Sequence, residues 1–477
     1  MVAESEIVQD EVLIPHRGVI RVIVLIATAM AVIDGIVVSI ALPTITRAFI
    51  VGIAQSQWII SAYLVTETSL LLIFGRISDF TGKRRLFLAG FILFTASSLA
   101  CGLSSGLYDL VLYRILQASG AAMVFSISAA IMFEVSPRGE QGRAMGYVGA
   151  TVAVAGIAAP ILGGFITDSL GWEYIFLINV PIGVVVLVLA ARYFRFPEQK
   201  TGTLRMDWPG SVSMVISIVS LVLLLSELSG GFKLSLFLLI YLLVFFLSVI
   251  VFLVVERKSR YPILDLSVFR NLKFTLPNAA LTCIFCAFFM VNLVGPFYFE
   301  GVMNMKPSQV GLVFLIMPVI MVIASPATGW LYDRWQWDYL PVIGITLTGI
   351  SMLLLAYGAI SMELSLIVLL FIPLSLGSAL FQSPANTEIM RALPAGKAGL
   401  ASSVSATIRN LGMTVGVSLA GILLSWQLHA GGYFGAVEEA PEALLSGCIS
   451  NIMVIGAGFC FAGAVLYLVK NLNIRGI

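Results

Sequence analysis

Fourteen long apolar runs constrain the fold of this chain more than any other feature. Most of them reach about 18 residues or more, the length that a helix needs to cross the hydrocarbon core of a bilayer. They fall near 19–42, 57–74, 86–104, 108–134, 142–167, 172–191, 208–227, 234–255, 274–298, 308–331, 339–358, 364–389, 399–426 and 446–469. A membrane β-barrel would show alternating segments of about ten residues instead. The sequence therefore predicts an all-α polytopic membrane protein with fourteen transmembrane helices.

The distribution of lysine and arginine predicts the orientation of these helices. If the N-terminus is cytoplasmic, the segments on that side hold 22 of the 27 Lys and Arg residues, whereas the outer loops hold three. Cytoplasmic loops of membrane proteins carry such an excess of positive charge. Both termini are therefore predicted to be cytoplasmic.

Two short patterns recur at nearly equal offsets along the chain. The pattern Gly-x-x-x-Asp ends at Asp79 after the second helix and at Asp333 after the tenth, 254 positions later. Pro-x4-Gly follows the fourth helix at 137–142 and the twelfth at 394–399, an offset of 257. Internal repeats of this kind are typical of transporters built from two similar halves.

The offsets divide the chain into two six-helix halves and an insertion. The predicted units are an N-terminal bundle at 1–191, a linker at 192–273 and a C-terminal bundle at 274–477. The linker carries two inserted transmembrane helices, 208–227 and 234–255. The predicted architecture is 6 + 2 + 6.

Asp34 is the only charged residue of the first apolar run between Arg21 and Arg47. A carboxylate in hydrocarbon costs a few kcal/mol, so such a residue normally faces protein or a water-filled cavity and is a functional candidate. Arg114 lies inside the fourth helix at a similar depth. We hypothesise that Arg114 interacts with Asp34 or with a nearby water network and tunes its affinity for protons. The alternative is a structural arginine bonded to backbone carbonyls.

Glu67 is the only charged residue between Trp58 and Arg76, near the middle of the second helix. Its predicted depth is close to that of Asp34, which suggests a second carboxylate facing the same cavity. The alternative is a protonated glutamate whose hydrogen bonds are satisfied by Thr66 or Thr68.

Two motifs carry a resemblance to a known family. The loop 75–85 is similar to the Gly-x-Leu-Ala-Asp-Arg-x-Gly-Arg-Lys signature of major facilitator transporters, with Phe80 at the usual basic position. The fifth helix resembles the antiporter signature Gly-x-x-x-Gly-Pro-x-x-Gly-Gly, with Ala155 and Ala159 in place of two glycines. Over essentially its whole length the chain resembles the fourteen-helix drug:proton antiporter family, the quaternary-ammonium efflux type. The resemblance implies the major facilitator fold.

The resemblance and the lone charges together give four sets of candidate site residues. The proton-coupling or substrate residues are Asp34, Glu67 and Arg114. The conformational-switch motif comprises Gly75, Asp79, Gly82, Lys83, Arg84, Asp333 and Arg334. The antiporter motif comprises Gly156, Pro160, Gly163 and Gly164. The candidate substrate-cavity residues are Gln117, Phe288, Phe289, Asn292 and Arg409. Phe288 or Phe289 could stack on a flat cation, with contact to lipid as the alternative.

The expected function is proton-coupled export of amphipathic, cationic compounds by alternating access. The alternative is a proton-coupled uptake symporter of a small organic solute on the same fold. Gly82-Lys83 does not match a phosphate-binding loop, because the upstream glycine and the following Ser or Thr of that motif are absent. We expect no enzyme activity, no metal, no cofactor other than the coupling proton and no nucleic-acid partner. The expected setting is a multi-pass monomer in the lipid bilayer of the cell membrane.

Overall fold

A computed structural model describes the chain at residues 15–136, 141–195, 207–228, 235–259, 264, 266–335, 337–361, 364–393 and 398–475. The first half contains α1 (Arg17–Phe49), α2 (Ile53–Ser56), α3 (Trp58–Thr81), α4 (Lys83–Gly102), α5 (Leu107–Glu134), α6 (Gln141–Ser169), α7 (Tyr174–Leu177) and α8 (Asn179–Tyr193). The middle segment contains α9 (Trp208–Leu228) and α10 (Leu236–Lys258). The second half contains α11 (Leu272–Gly301), α12 (Pro307–Phe314), α13 (Ile316–Trp335), α14 (Leu340–Ser361), α15 (Leu364–Arg391), α16 (Ala398–Ala430) and α17 (Glu442–Arg475).

The helical content confirms the predicted fold class. Within the ranges given above, the chain forms helices and no strand, and fourteen helical segments are long and apolar enough to cross a membrane. Each of the fourteen predicted runs has its counterpart among them. The cytoplasmic location of the termini remains a prediction, because it rests on loop charge alone.

Two of the predicted spans are broken within the membrane, and proline explains both breaks. The sixth span divides at Ile178 into α7 and α8, and the tenth divides at Leu315 into α12 and α13. Pro181 and Pro318 lack the backbone N–H that would bond to the carbonyl four residues earlier, so the regular ladder is interrupted there. By contrast, Pro160 and Pro326 lie inside continuous helices.

The first helix is longer than its hydropathy predicts. It continues past Pro43 to Phe49 and ends where Ile50 adopts a left-handed conformation, with φ of 52°. Hydropathy measures only the part of a helix that matches the hydrocarbon core, whereas the hydrogen-bonded helix extends further. The extra turns carry Arg47 to the second half of the molecule.

The inserted helices pack at the seam between the halves. On α9, Met214, Ile218 and Val222 form a buried cluster with Val65 and Ile73 of α3, and Leu411 of α16 packs against it. Helix α10 packs on α9, and most of its side chains are exposed to the surroundings of the protein. The insertion therefore covers the place where α3 of the first half meets α16 of the second.

Polar contacts join the halves at one end of the bundle, which we call the outer end and predict to be extracellular. Arg47 at the end of α1 forms an ion pair with Glu300 at the end of α11, with 2.6 Å between Nη2 and Oε2. The hydroxyl of Ser308 in α12 donates a 2.7 Å hydrogen bond to Oδ2 of Asp168 in α6. The bundle is therefore closed at its outer end.

Candidate transport site

Asp34 lies at the centre of a buried polar network inside the first half. Nη1 of Arg114 donates to Oδ2 of Asp34 at 2.5 Å. The amides of Gln117 and Asn179 both donate to Oδ1, at 2.8 and 3.0 Å. Both oxygens of the carboxylate are thus occupied by donors from α5 and α8, and α1 is fixed to these two helices.

The network is closed to solvent. Asp34 and Arg114 are each 1% exposed, and Gln117 is completely buried. The Gln117 amide also donates to Ser98 Oγ at 2.9 Å, and its oxygen accepts from Arg114 at 2.8 Å. Gln117, a predicted cavity residue, is therefore a member of the Asp34 network.

Two rings and a backbone carbonyl hold the guanidinium of Arg114. Its Nε donates to the Ile59 carbonyl of α3 at 3.3 Å. Its Cζ lies 4.0 Å from the ring centroid of Tyr63 and 5.6 Å from that of Phe176. Arg114 thus combines both predicted possibilities, because it pairs with Asp34 and also bonds to a backbone carbonyl. A cation between aromatic faces is stabilised by their negative π-surfaces.

Glu67 makes no hydrogen bond to the Asp34 network within the described part of the chain, and its side chain is of intermediate burial. It lies one helical turn after Tyr63 on α3, so the two side chains share one face of that helix. The hydroxyl of Tyr63 is buried and makes no hydrogen bond within the described part of the chain. Thr68 donates its hydroxyl hydrogen to the Leu64 carbonyl at 2.6 Å.

The electrostatic partners of Glu67 come from both halves. Its charge interacts with Arg409 on α16 of the second half, and with Arg114 and Asp34 of the first half. Asp34 is enclosed inside the first half, whereas Glu67 lies on α3, which contacts α16 of the second half. A cavity shared by the two carboxylates stays a prediction.

Arg409 faces the interface beside aromatic side chains of α11. Its Cζ lies 5.8 Å from the ring centroid of Phe285. The predicted cavity residues Phe288, Phe289 and Asn292 lie on the same helix and are partly buried. Phe285 was not among the predicted cavity residues, although it lies only one turn before Phe289.

The antiporter motif has two faces on α6. A Cβ on Gly164 would lie 2.4 Å from the Pro307 carbonyl oxygen, and one on Gly311 of α12 would lie 2.2 Å from the Pro160 carbonyl oxygen. Gly156, at the same spacing of four residues, faces Pro318 at 3.9 Å. Residues four apart share one face of a helix. This face therefore carries the contact with the second half through Gly156, Pro160 and Gly164.

The other face of the motif packs within the first half. A Cβ on Gly163 would lie 2.8 Å from Cγ2 of Val37 on α1. Ala155 and Ala159 share the face of Gly163 and are buried, at 2% and 0% exposure. The alanines that depart from the family signature thus lie on the face toward α1. The contact between the halves is untouched by them.

Residues of the conformational-switch motif in the first half contact other helices of the same half. Gly82 separates α3 from α4 with φ of 91°, a conformation that favours glycine. Lys83 forms a 2.5 Å ion pair with Glu134 at the end of α5, and Arg84 donates to the Ala191 carbonyl of α8 at 3.5 Å. Gly75 has only Ser126 near its Cβ position, at 4.0 Å.

The corresponding motif of the second half is more exposed. Arg334 is exposed and lies with its Cζ 5.3 Å from the ring centroid of Trp330. The side chains of Asp79 and Asp333 lie outside the described part of the structure, so their predicted switch role stays a prediction.

Glu388 belongs to a buried polar cluster that the sequence did not indicate. The carboxylate accepts from the Tyr332 hydroxyl at 2.8 Å and the Tyr467 hydroxyl at 2.6 Å, and it pairs with Lys470. The cluster ties α13, α15 and α17 together, because their polar side chains turn inward at the same level.

Sequence reasoning missed three members of the Asp34 network. Asn179 is a polar residue in an apolar span, and this signal could have identified it. Ser98 carried no such signal, because a serine in a helix commonly bonds to its own backbone. Tyr63 could have been found from its position four residues before Glu67.

Comparison with known proteins agrees with this architecture. The sequence profile described as the Major Facilitator Superfamily matches residues 24–417. The chain is 30% identical to Riboflavin transporter RibZ of Clostridioides difficile (strain 630), over 94% of this chain and 97% of that protein. It is also 30% identical to Multidrug resistance protein Stp of Mycobacterium tuberculosis (strain ATCC 25618 / H37Rv), over 86% of this chain and 77% of that protein.

Solved structures share the fold at low identity. A POT family transporter in complex with a thioalcohol-conjugated peptide superimposes with a TM-score of 0.71 at 14% identity, covering 96% of each chain. With its fourteen spans, its two contacting halves and the profile match over most of its length, this chain belongs to the Major Facilitator Superfamily and is a multi-pass membrane transporter, not an enzyme.

Proposed function

We propose that this transporter is a proton-coupled antiporter that exports amphipathic organic compounds across the cell membrane by alternating access. In this proposal it works as a monomer, and protons are the coupling ion. The relatives named as multidrug transporters support export of drug-like compounds.

The observation that carries the proposal is the position of Glu67. Glu67 lies on α3, which packs against α16 of the second half, and Arg409 of α16 is its principal neighbouring charge. While Glu67 is ionised, the attraction to Arg409 holds α3 against α16. A proton on Glu67 removes that attraction, so proton binding and rearrangement of the halves favour each other. Protonation at this carboxylate would thereby be coupled to the change of access.

The closed outer end corresponds to one state of an alternating-access cycle. The Arg47–Glu300 pair and the contact of α6 with α12 block the predicted extracellular side. An arrangement closed at that end receives substrate from the cytoplasmic side. Opening of the outer end would then release substrate and admit a proton from outside.

The test uses proteoliposomes that contain a pH-sensitive dye and an imposed proton gradient. Addition of rhodamine B is expected to drive proton release in the wild type, and Glu67→Gln is expected to abolish the release. The matched control is Glu227→Gln, because Glu227 lies on the inserted helix α9 and accepts a hydrogen bond from Ser235. If Glu67→Gln keeps the wild-type rate while Asp34→Asn loses it in protein shown to be folded, coupling belongs to Asp34. A response that survives both changes contradicts the proposal.

A second candidate function is proton-coupled uptake of a flat, polar aromatic solute. The similarity to a protein named as a riboflavin transporter, over nearly the whole of both chains, favours it. The partly buried phenylalanines of α11 provide flat surfaces for such a solute. Accumulation of riboflavin against its gradient, driven by an inward proton gradient, would support uptake and contradict export.

A further inference from the structure

The helix positions of Glu67 and Arg409 direct both side chains toward the interior. Val65 of α3 and Leu411 of α16 pack in the cluster against α9. Glu67 and Arg409 are each two residues away, which is about 200° around a helix. They therefore point away from the inserted helices and toward the region between the two halves.

Glu67 and Arg409 are opposite charges on two helices that pack against each other, α3 and α16. Glu67 interacts with Arg409, and Asp34, the nearest other carboxylate in the first half, is 1% exposed and bonded to Arg114. Nε of Arg409 is buried and has no hydrogen-bond partner among the described residues. The guanidinium therefore retains an unused donor at the interface.

A substrate that enters between α3 and α16 separates Glu67 from Arg409. It must therefore offer a new counter-charge to each of these side chains. A simple lipophilic cation would pair with Glu67 but would leave Arg409 without a counter-ion. Leaving one member of a buried pair uncompensated is strongly unfavourable. A molecule that carries both a cation and a carboxylate can satisfy both side chains, and Phe285, 5.8 Å from the Arg409 guanidinium, offers a ring face for its aromatic frame.

We propose that the Glu67–Arg409 pair makes this protein a transporter of flat aromatic zwitterions, selected over aromatic monocations of the same frame. This inference rests on the proposed transport function and names its substrate class. The cationic group of the substrate binds Glu67, its anionic group binds Arg409, and its ring plane lies against Phe285.

The test uses two dyes that differ in a single charge. Rhodamine B is a zwitterion, whereas its ethyl ester has the same aromatic frame without the carboxylate and is a monocation. Purified protein in detergent is titrated with each dye, and transport of each is then measured in proteoliposomes. The wild type is expected to bind and transport the zwitterion at least about tenfold better than the ester, as an uncompensated buried charge requires.

The substitution Arg409→Gln is expected to reverse this preference, because the remaining Glu67 then attracts the ester without penalty. Glu67→Gln is expected to weaken both dyes, and the ester more. Arg409→Lys keeps the charge and is expected to keep the preference. If Arg409→Gln does not fold, the double variant Glu67→Gln/Arg409→Gln removes both charges together and is expected to bind the two dyes equally.

The outcomes separate this inference from the proposed function. Proton-driven transport that favours the ester overturns the inference and leaves antiport standing, and equal loss of both dyes in Arg409→Gln overturns it too. Preferential binding of the zwitterion without any dye-induced proton movement supports the inference and contradicts proton coupling.

Discussion

Arg114 and Asp34 are joined by a 2.5 Å hydrogen bond although 80 positions separate them in the chain. The pair is enclosed by Gln117 and Asn179, and neither charge reaches the surface. In this arrangement the carboxylate of Asp34 links α1 to α5 and α8. A proton that binds Asp34 must displace at least one of these hydrogen bonds.

Removal of one member of this pair is expected to destabilise the protein. Arg114→Gln or Asp34→Asn leaves the other charge buried without its partner, which costs about 3–5 kcal/mol in buried pairs. Thermal unfolding of purified protein in detergent measures the effect. The double variant Asp34→Asn/Arg114→Gln is expected to recover much of the loss. Single variants as stable as the wild type would show that the Asp34–Arg114 pair does not stabilise the packing of these helices.

The ring of Tyr63 is expected to stabilise Arg114 through its face. Tyr63→Phe retains the ring that lies 4.0 Å from the guanidinium and is expected to unfold like the wild type. Tyr63→Leu removes the cation–π contact, which is worth about 2 kcal/mol when desolvated, and is expected to lower the stability accordingly. Equal unfolding temperatures of Tyr63→Phe and Tyr63→Leu would contradict this role of the ring.

Glycine at position 311 is expected to be required for closure of the outer end. A methyl group there would lie 2.2 Å from the Pro160 carbonyl oxygen, so Gly311→Ala must push α12 away from α6. We expect faster labelling of a cysteine placed at Ser308 by a membrane-impermeant thiol reagent. Gly458→Ala is the matched control, because its Cβ position has nothing within 4 Å. Unchanged labelling in Gly311→Ala would mean that the helices accommodate the methyl group.

A covalent link across the outer end is expected to stop transport. Cysteines in place of Arg47 and Glu300, whose side chains form a 2.6 Å ion pair, would be joined by a short bifunctional thiol reagent with a reducible linker. Transport is expected to cease on linking and to return on reduction. Cysteines at Gln427 and Asn451, which are bonded at 2.8 Å within the second half, provide the control. Full transport by the linked Arg47–Glu300 variant would show that the outer end need not open.

The sequence determined the number of spans, the repeat and the location of the motifs. Fourteen apolar runs became fourteen spanning segments, because bilayer thickness fixes the length of an apolar helix regardless of its neighbours. The glycines of the antiporter motif were also recognisable, because a motif is defined by the spacing of residues that are close together in the chain. The lone charges Asp34 and Glu67 were also visible, because each stands in an apolar run.

Only the tertiary structure decided what these residues face. Hydropathy measures position along a helix and carries no information about the rotation of one helix against another. That rotation comes from packing between distant segments, such as the contact of Asn179 with Asp34 across 145 positions. Packing buried Asp34 within one half and turned Glu67 toward Arg409 of the other. It also directed Gly164 toward Pro307 and Gly163 toward Val37, although the two glycines are neighbours in the chain.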